Sequence, residues 1–138
     1  MKIYAIIIGL VALSFCSMAQ THSLSVDLRG IEQNTGAVHV CLMNEEDQFL
    51  KDCYAGKVLH LTIDATRQIT FENLPPGDYA IMAYHDLDGN GKLNTDGAFG
   101  LPSEPYAFSN NPRTWFGPPK HRKCVFRVEG DVRLKLEF

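Results

Sequence analysis

The sequence lacks the features that nucleic-acid binding or familiar catalysis would need. It has no basic cluster: 13 Lys and Arg are scattered among 16 Asp and Glu, for a formal net charge of −3. A mildly acidic chain without a positive patch argues against nucleic acid as a partner and against electrostatic docking to anionic lipid. No Ser-His-Asp signature, nucleophile elbow or glycine-rich phosphate loop is present. His22, His39, His60, His85 and His121 show no zinc-ligand spacing. The long apolar run from Ile3 to Phe15 is too short for a stable membrane span.

That run has a different explanation. Lys2 precedes it, and Ser17-Met18-Ala19 supplies a small-x-small cleavage pattern, which predicts a signal peptide over residues 1–19. Cys16 follows Phe15, where lipid attachment would need a small residue, so it reads as part of the discarded peptide and not as a lipoprotein anchor. The expected product is secreted or periplasmic, with no transmembrane segment. Residues 20–138 carry twelve basic and sixteen acidic side chains and suit one compact domain.

An oxidising compartment favours one disulfide among Cys41, Cys53 and Cys124. In Val38–Leu42 the core set is Val38, Val40 and Leu42, so Cys41 faces outward toward the following loop. In Cys124–Val128 the inward set contains Phe126 and Val128, and with them Cys124. The expectation is a Cys41–Cys53 bridge and a buried Cys124 thiol.

Period-2 alternation runs through the chain. It marks strands at Leu24–Leu28, Val38–Met43, Leu59–Ile63, Ile69–Phe71, Tyr79–Tyr84, Cys124–Val128 and Val132–Phe138. Seven short strands joined by turns predict an all-β fold, an antiparallel β-sandwich of immunoglobulin-like or transthyretin-like kind. Pro76-Gly77 predicts a type II turn, with positive φ at Gly77. Glu129-Gly130-Asp131 predicts a hairpin between the last two strands. Asn44–Gly56 has the capping and acidic residues of one short helix, although a polar loop needs the same composition.

Residues 86–123 break the rhythm, with five prolines and no sustained alternation. Phe99, Leu101, Tyr106, Phe108, Trp115 and Phe116 are too apolar for a solvated linker, so one long ordered loop packed on the sandwich is expected. The aromatics of this loop would seal it to the sheet, or, if exposed, grip a sugar or a partner.

At the root of this loop the sequence is densest in chemistry. Asp86, Asp88, Asn90, Asn94 and Asp96 lie within eleven residues, interleaved with Gly89 and Gly91. With Asp86 at position 1, Asp88, Asn90, Gly91 and Asn94 match positions 3, 5, 6 and 9 of an EF-hand loop, and Lys92 would offer its carbonyl at 7. Position 12 is Gly97 instead of a bidentate Glu, so Asp96 or Glu104 would have to substitute. The flanking strand pattern also differs from an EF-hand, which has helices. These residues predict a Ca²⁺ loop grafted onto a β-domain, with an ion-free hairpin as the plainer alternative, since Asp-Gly and Asn-Gly form turns unaided. A second alternative is a hydrolase using His85, Asp86 or Glu104 in a cleft beside the loop.

The ordered succession Phe71-Glu72-Asn73-Leu74-Pro75-Pro76-Gly77-Asp78-Tyr79, His85-Asp86, Asn90-Gly91-Lys92-Leu93, Phe99-Gly100-Leu101-Pro102-Ser103-Glu104-Pro105-Tyr106, Phe108-Ser109-Asn110-Asn111 and Gly117-Pro118-Pro119 resembles DUF2141, a family of small secreted bacterial proteins of unknown function. The chain departs from the family pattern at Asn94, where an acid is usual, with Asp96 nearby, and at Ala107, where Gly is usual. The Leu-Pro-Pro-Gly-Asp-Tyr turn is also similar to that of transthyretin-like and collagen-adhesin B-type sandwiches. The resemblance implies the architecture and leaves the role open. The functional expectation is a non-enzymatic module whose Ca²⁺ loop orders a surface for a glycan, a cell-envelope component or a protein.

Overall fold

The computed structural model describes residues 20–114 and 117–138. The signal-peptide expectation for 1–19, and Trp115 and Phe116 of the long loop, lie outside these. The described chain is all-β, in the order β1 His22–Arg29, β2 Ala37–Met43, β3 Ala55–His60, β4 Gln68–Leu74, β5 Gly77–Asp86, β6 Thr95–Asp96, β7 Leu101–Pro102, β8 Tyr106–Phe108, β9 Phe126–Val128 and β10 Val132–Glu137.

Two sheets form the sandwich. One has the order β10-β1-β4 and the other β3-β2-β5-β8, while β6 and β7 form a separate pair. Alternation explains the packing: Leu24, Val26 and Leu28 are buried along β1 while Ser23, Ser25 and Asp27 are only partly so. The inward sets of both sheets, Leu24, Val26 and Leu136 against Val38, Val40, Leu42 and Ile81, share one apolar cluster. Burying these side chains contributes roughly 1.5–3 kcal/mol each before entropy is charged against it.

β5 is the spine of the larger sheet. One edge pairs with β2 along residues 80–86. The other edge pairs first with β9 over Gly77–Tyr79 and then with β8 over Met82–Tyr84. Between those two partners Ser109 fills the ladder: its amide donates to the Ile81 carbonyl (3.0 Å) and its Oγ accepts the Ile81 amide (2.9 Å). Ser109 Oγ in turn donates to the Cys124 carbonyl. Asn110 Nδ2 donates to the Val125 carbonyl, and the Asn111 amide exchanges two bonds with the β10 backbone at Lys135 and Glu137. Ser109-Asn110-Asn111 is thus a clip whose side chains bond β5, the chain just ahead of β9, and β10.

Several sequence expectations shift. β1 and β10 pair in parallel, from Leu24↔Val132 to Arg29↔Glu137, so the sandwich is not wholly antiparallel. A parallel pair needs a long connection, and here nearly the whole chain serves as one. Gly30 ends β1 at φ +75, where a Cβ would sit 2.7 Å from the Phe138 carbonyl oxygen. The third strand covers Ala55–His60 instead of Leu59–Ile63, because its register follows β2 from Leu42↔Ala55 to Ala37↔His60 and stops where β2 begins. Ile63 is left 84% exposed. The short-helix pattern yields only a 3-10 turn at Glu46–Gln48, and Gly56 belongs to β3.

Gly77 is the first residue of β5 and is absent from the positive-φ glycines. The left-handed residue nearby is Asn73 (φ 58), at the irregularity where β4 steps past β1. Glu129–Asp131 is a corner and not a hairpin, since β9 pairs with β5 and β10 with β1. Asp131 secures that corner by accepting the Ser23 amide at 2.8 Å.

Cys41 and Cys53 form the expected disulfide, with Cα atoms 5.3 Å apart. Cys124 is buried and free. It does not start a strand, however: it caps the 3-10 turn His121–Lys123 and packs with Met43, Ala80 and Phe108 on the outer face of the larger sheet. Residues 86–123 contribute Phe108 and Tyr106 to that second cluster. β8 joins β5, and Phe108 is buried there, with Tyr106 half-buried.

Candidate functional site

Asp86 is the last residue of β5 and lies opposite Ala37 of β2. Gly36, just before β2, has φ +75, and a Cβ there would fall 2.1 Å from the Asp86 carbonyl oxygen, so only glycine fits. The outward phase of Tyr84 and Asp86 carries the Asp86 side chain over the start of the acidic loop, where it is 2% exposed.

Its carboxylate gathers the loop backbone. Oδ1 accepts the amides of Gly89 (2.8 Å) and Asn90 (3.2 Å), and Oδ2 accepts that of Gly91 (2.8 Å). Positive φ at Gly89 and Gly91 turns those amides inward. Burial alone would push the Asp86 pKa up, but the amides of Gly91 and Gly89, the Asp88 side chain and the Asn90 amide together outweigh it and hold the group below the ordinary aspartate value. Tyr84 braces the same turn, donating to the Gly91 carbonyl at 2.8 Å. Burial, then the charges of Asp86 and Glu104, raise its pKa, so it stays a phenol.

Glu104, 7% exposed, clamps the loop from its far end. Oε1 accepts the Leu87 amide (2.8 Å) and Oε2 the Asn94 amide (3.0 Å). Asp88 is exposed. Its Oδ2 accepts from Asn90 Nδ2 (3.0 Å) and Asn94 Nδ2 (2.8 Å), while Asn90 Oδ1 accepts the Lys92 amide (2.8 Å). Carboxylate oxygens of Asp86, Asp88 and Glu104 lie within 4.8 Å of one another.

Of the residues predicted from sequence, the fold therefore brings together Asp86, Asp88 and Glu104, with Asn90 and Asn94 bonded around them. Lys92 enters through its amide. Asp96 does not join: it lies exposed in β6, paired with Leu101 of β7, because the chain has already turned into that hairpin. Such an all-oxygen, anionic set suits a hard cation and not zinc.

His85 faces the opposite way from Asp86. It is 2% exposed, its Nε2 lies 2.7 Å from the Thr35 carbonyl, and its amide donates to the Pro105 carbonyl. A buried imidazole tied to a backbone carbonyl is a structural bond between β5 and the β1–β2 connection, and the hydrolase alternative draws no support from it. The histidine near the carboxylates is instead His39. Its Nε2 lies 3.3 Å from Asp86 Oδ2, and its ring stacks on Tyr84 with centroids 4.8 Å apart. Strand phase placed His39 outward, but only the β2–β5 register could reveal that it meets Asp86.

A two-sheet sandwich with an acid-clamped loop at the end of β5 defines this as an all-β protein. The chain belongs to DUF2141, a family described as an uncharacterized protein conserved in bacteria, whose model matches residues 26–135. That span reaches from within β1 to within β10. No curated protein and no solved structure matches the chain.

Proposed function

We propose that this protein is a secreted or periplasmic, non-enzymatic β-sandwich module whose acidic loop binds Ca²⁺ and thereby orders the 97–123 segment as a binding surface for a glycan, a cell-envelope component or a protein. The observation that carries the reading is the convergence of Asp86, Asp88 and Glu104 within 4.8 Å. Like charges this close repel one another, and a divalent cation would relieve the repulsion. The residue 1–19 pattern and the Cys41–Cys53 disulfide support an oxidising compartment. No helix among the described residues is long and apolar enough to cross a membrane.

Calorimetric titration of Ca²⁺ into chelator-stripped protein tests the reading. Without a bidentate Glu at the twelfth position, affinity should sit near the extracellular-module range of about 10⁻⁴–10⁻³ M. At about 10 mM Ca²⁺ the native state then gains about 1.4–2.7 kcal/mol, visible as a rise in Tm. Asp88→Asn is the sharpest control, because Asp88 is exposed and its loss leaves the backbone bonds of Asp86 and Glu104 in place. Saturable heat abolished in that variant supports the site, while no heat and no thermal shift would sink it.

A second reading, an ion-free turn, has its own observation. Asp86 and Glu104 already accept five amide bonds between them, and Asn90 and Asn94 both donate to Asp88. Under that reading Ca²⁺ leaves the Tm unchanged, whereas Glu104→Gln still loosens the loop to proteases.

A further inference from the structure

The outer face of the larger sheet is only partly covered by the long excursion, and the uncovered part is concave. Met82, Tyr106 and Phe108 floor a cleft of about 380 Å³, with Leu93 and Leu101 in its wall. Its rim is built from two segments far apart in sequence. Leu50 comes from the loop closed by the disulfide, at 42% exposure, while Phe99 and Leu101 come from the β6–β7 hairpin, at 91% and 57%. Each is a large apolar side chain at a surface position that a solvated turn would give to a polar residue.

We propose that this cleft is a binding site for a small uncharged molecule with an apolar, aromatic or alkyl body. The volume falls in the range of about 300–1,000 Å³ typical of small-molecule sites and is too confined for a macromolecular surface. Charge selects the class: among the described lining residues there is no Asp, Glu, Lys, Arg or His. A charged ligand seated within the cleft would lose its hydration with nothing to replace it. Among the described lining residues, the Tyr106 phenol and the Thr114 hydroxyl are the side-chain hydrogen-bonding groups that could orient an occupant. Leu50 and Phe99 come from two segments far apart in sequence, so an occupant would touch two separately anchored loops.

Most of the described lining comes from the 97–123 segment, so the test is run with and without Ca²⁺ to keep the two readings apart. N-phenylnaphthylamine, an uncharged aromatic probe, is titrated into the protein in millimolar Ca²⁺ and, separately, in excess chelator, and followed by fluorescence. The expected result is saturable one-to-one binding. Leu101→Lys and Leu50→Lys, which put an ammonium at either rim, each weaken it by about tenfold or more. Ile63→Lys makes the same change at a remote, 84% exposed isoleucine and leaves binding unaltered. The sulfonated analogue, anilinonaphthalene sulfonate, binds more weakly than the neutral probe. Two positions, each exposed, guard against one variant failing to fold. Non-saturable binding both with and without Ca²⁺, an equal loss in Ile63→Lys, or tighter binding of the sulfonate overturns the proposal; saturable binding in chelator with no Ca²⁺ effect sinks the metal reading alone.

Discussion

Ser109→Ala should cost more than any other single-atom deletion in the sheet. Ser109, Ile81 and Cys124 are all 0% exposed, and the hydroxyl both accepts the Ile81 amide and donates to the Cys124 carbonyl. Removing Oγ leaves one buried donor and one buried acceptor without a partner. Each orphaned group costs about 1–3 kcal/mol, so the expected loss is about 2–6 kcal/mol. A single hydroxyl's volume is too small to admit a replacement water. Against a total stability of about 5–15 kcal/mol, that is a large share. Urea unfolding by circular dichroism would read it as a midpoint lowered by about 1–3 M at unchanged slope, taking about 2 kcal/mol per molar for a chain of this size. Ser103→Ala, at an exposed position, should stay within about 0.5 kcal/mol of the parent. A Ser109→Ala loss no larger than that of Ser103→Ala would falsify the view that the hydroxyl completes the ladder between β8 and β9.

Cys124 should resist a disulfide-exchange reagent in the native state and react on unfolding, since burial pushes its thiol pKa up to about 11 and keeps it protonated. Fast native labelling at pH 8 would show that the excursion opens. Reducing the Cys41–Cys53 bridge, whose loop spans twelve residues, should lower stability by about 3 kcal/mol in the chain-entropy account, measured as a shift in the unfolding midpoint. The Asp86 pKa is depressed on folding, so its contribution is present above the unfolded value of 3.8 and is lost as pH falls through the lower folded value. Unfolding curves from neutral pH into that acid range should show the parent losing stability below 3.8 more steeply than Asp86→Asn, which starts less stable. Parallel curves would contradict the amide clamp.

The all-β class and the strand phases were legible because a half-buried strand writes its two faces into alternate residues. The Cys41–Cys53 pairing followed from the same phase argument. What failed were the junctions. A strand corner between sheets and a hairpin within one draw on the same residues, so Glu129-Gly130-Asp131 could not declare that β9 and β10 part company. Leu59, Leu61 and Ile63 alternate as well as any strand, but β3 stops where its partner stops, and partner length is not a local property. At the acidic loop, Asp86, Asp88 and Glu104 were visible as oxygen donors, while Asp96 looked equally good until the β6–β7 hairpin took it elsewhere. His39 and Ser109 were missed for one reason: each acts across a strand register that no spacing encodes.

The parallel pairing of β1 with β10 has a consequence for how the molecule is made. Among the described strands β1 is made before its neighbours: β4 comes within reach early, and β10 is made after all the others. The smaller sheet therefore cannot be completed until synthesis reaches residue 137, and β1 presents an open edge until then. Contacts of such sequence separation are slow to form, and an unpaired edge is a place where chains join one another. Closure of the smaller sheet is thus a late event, with Val132–Glu137 as its closing stitch.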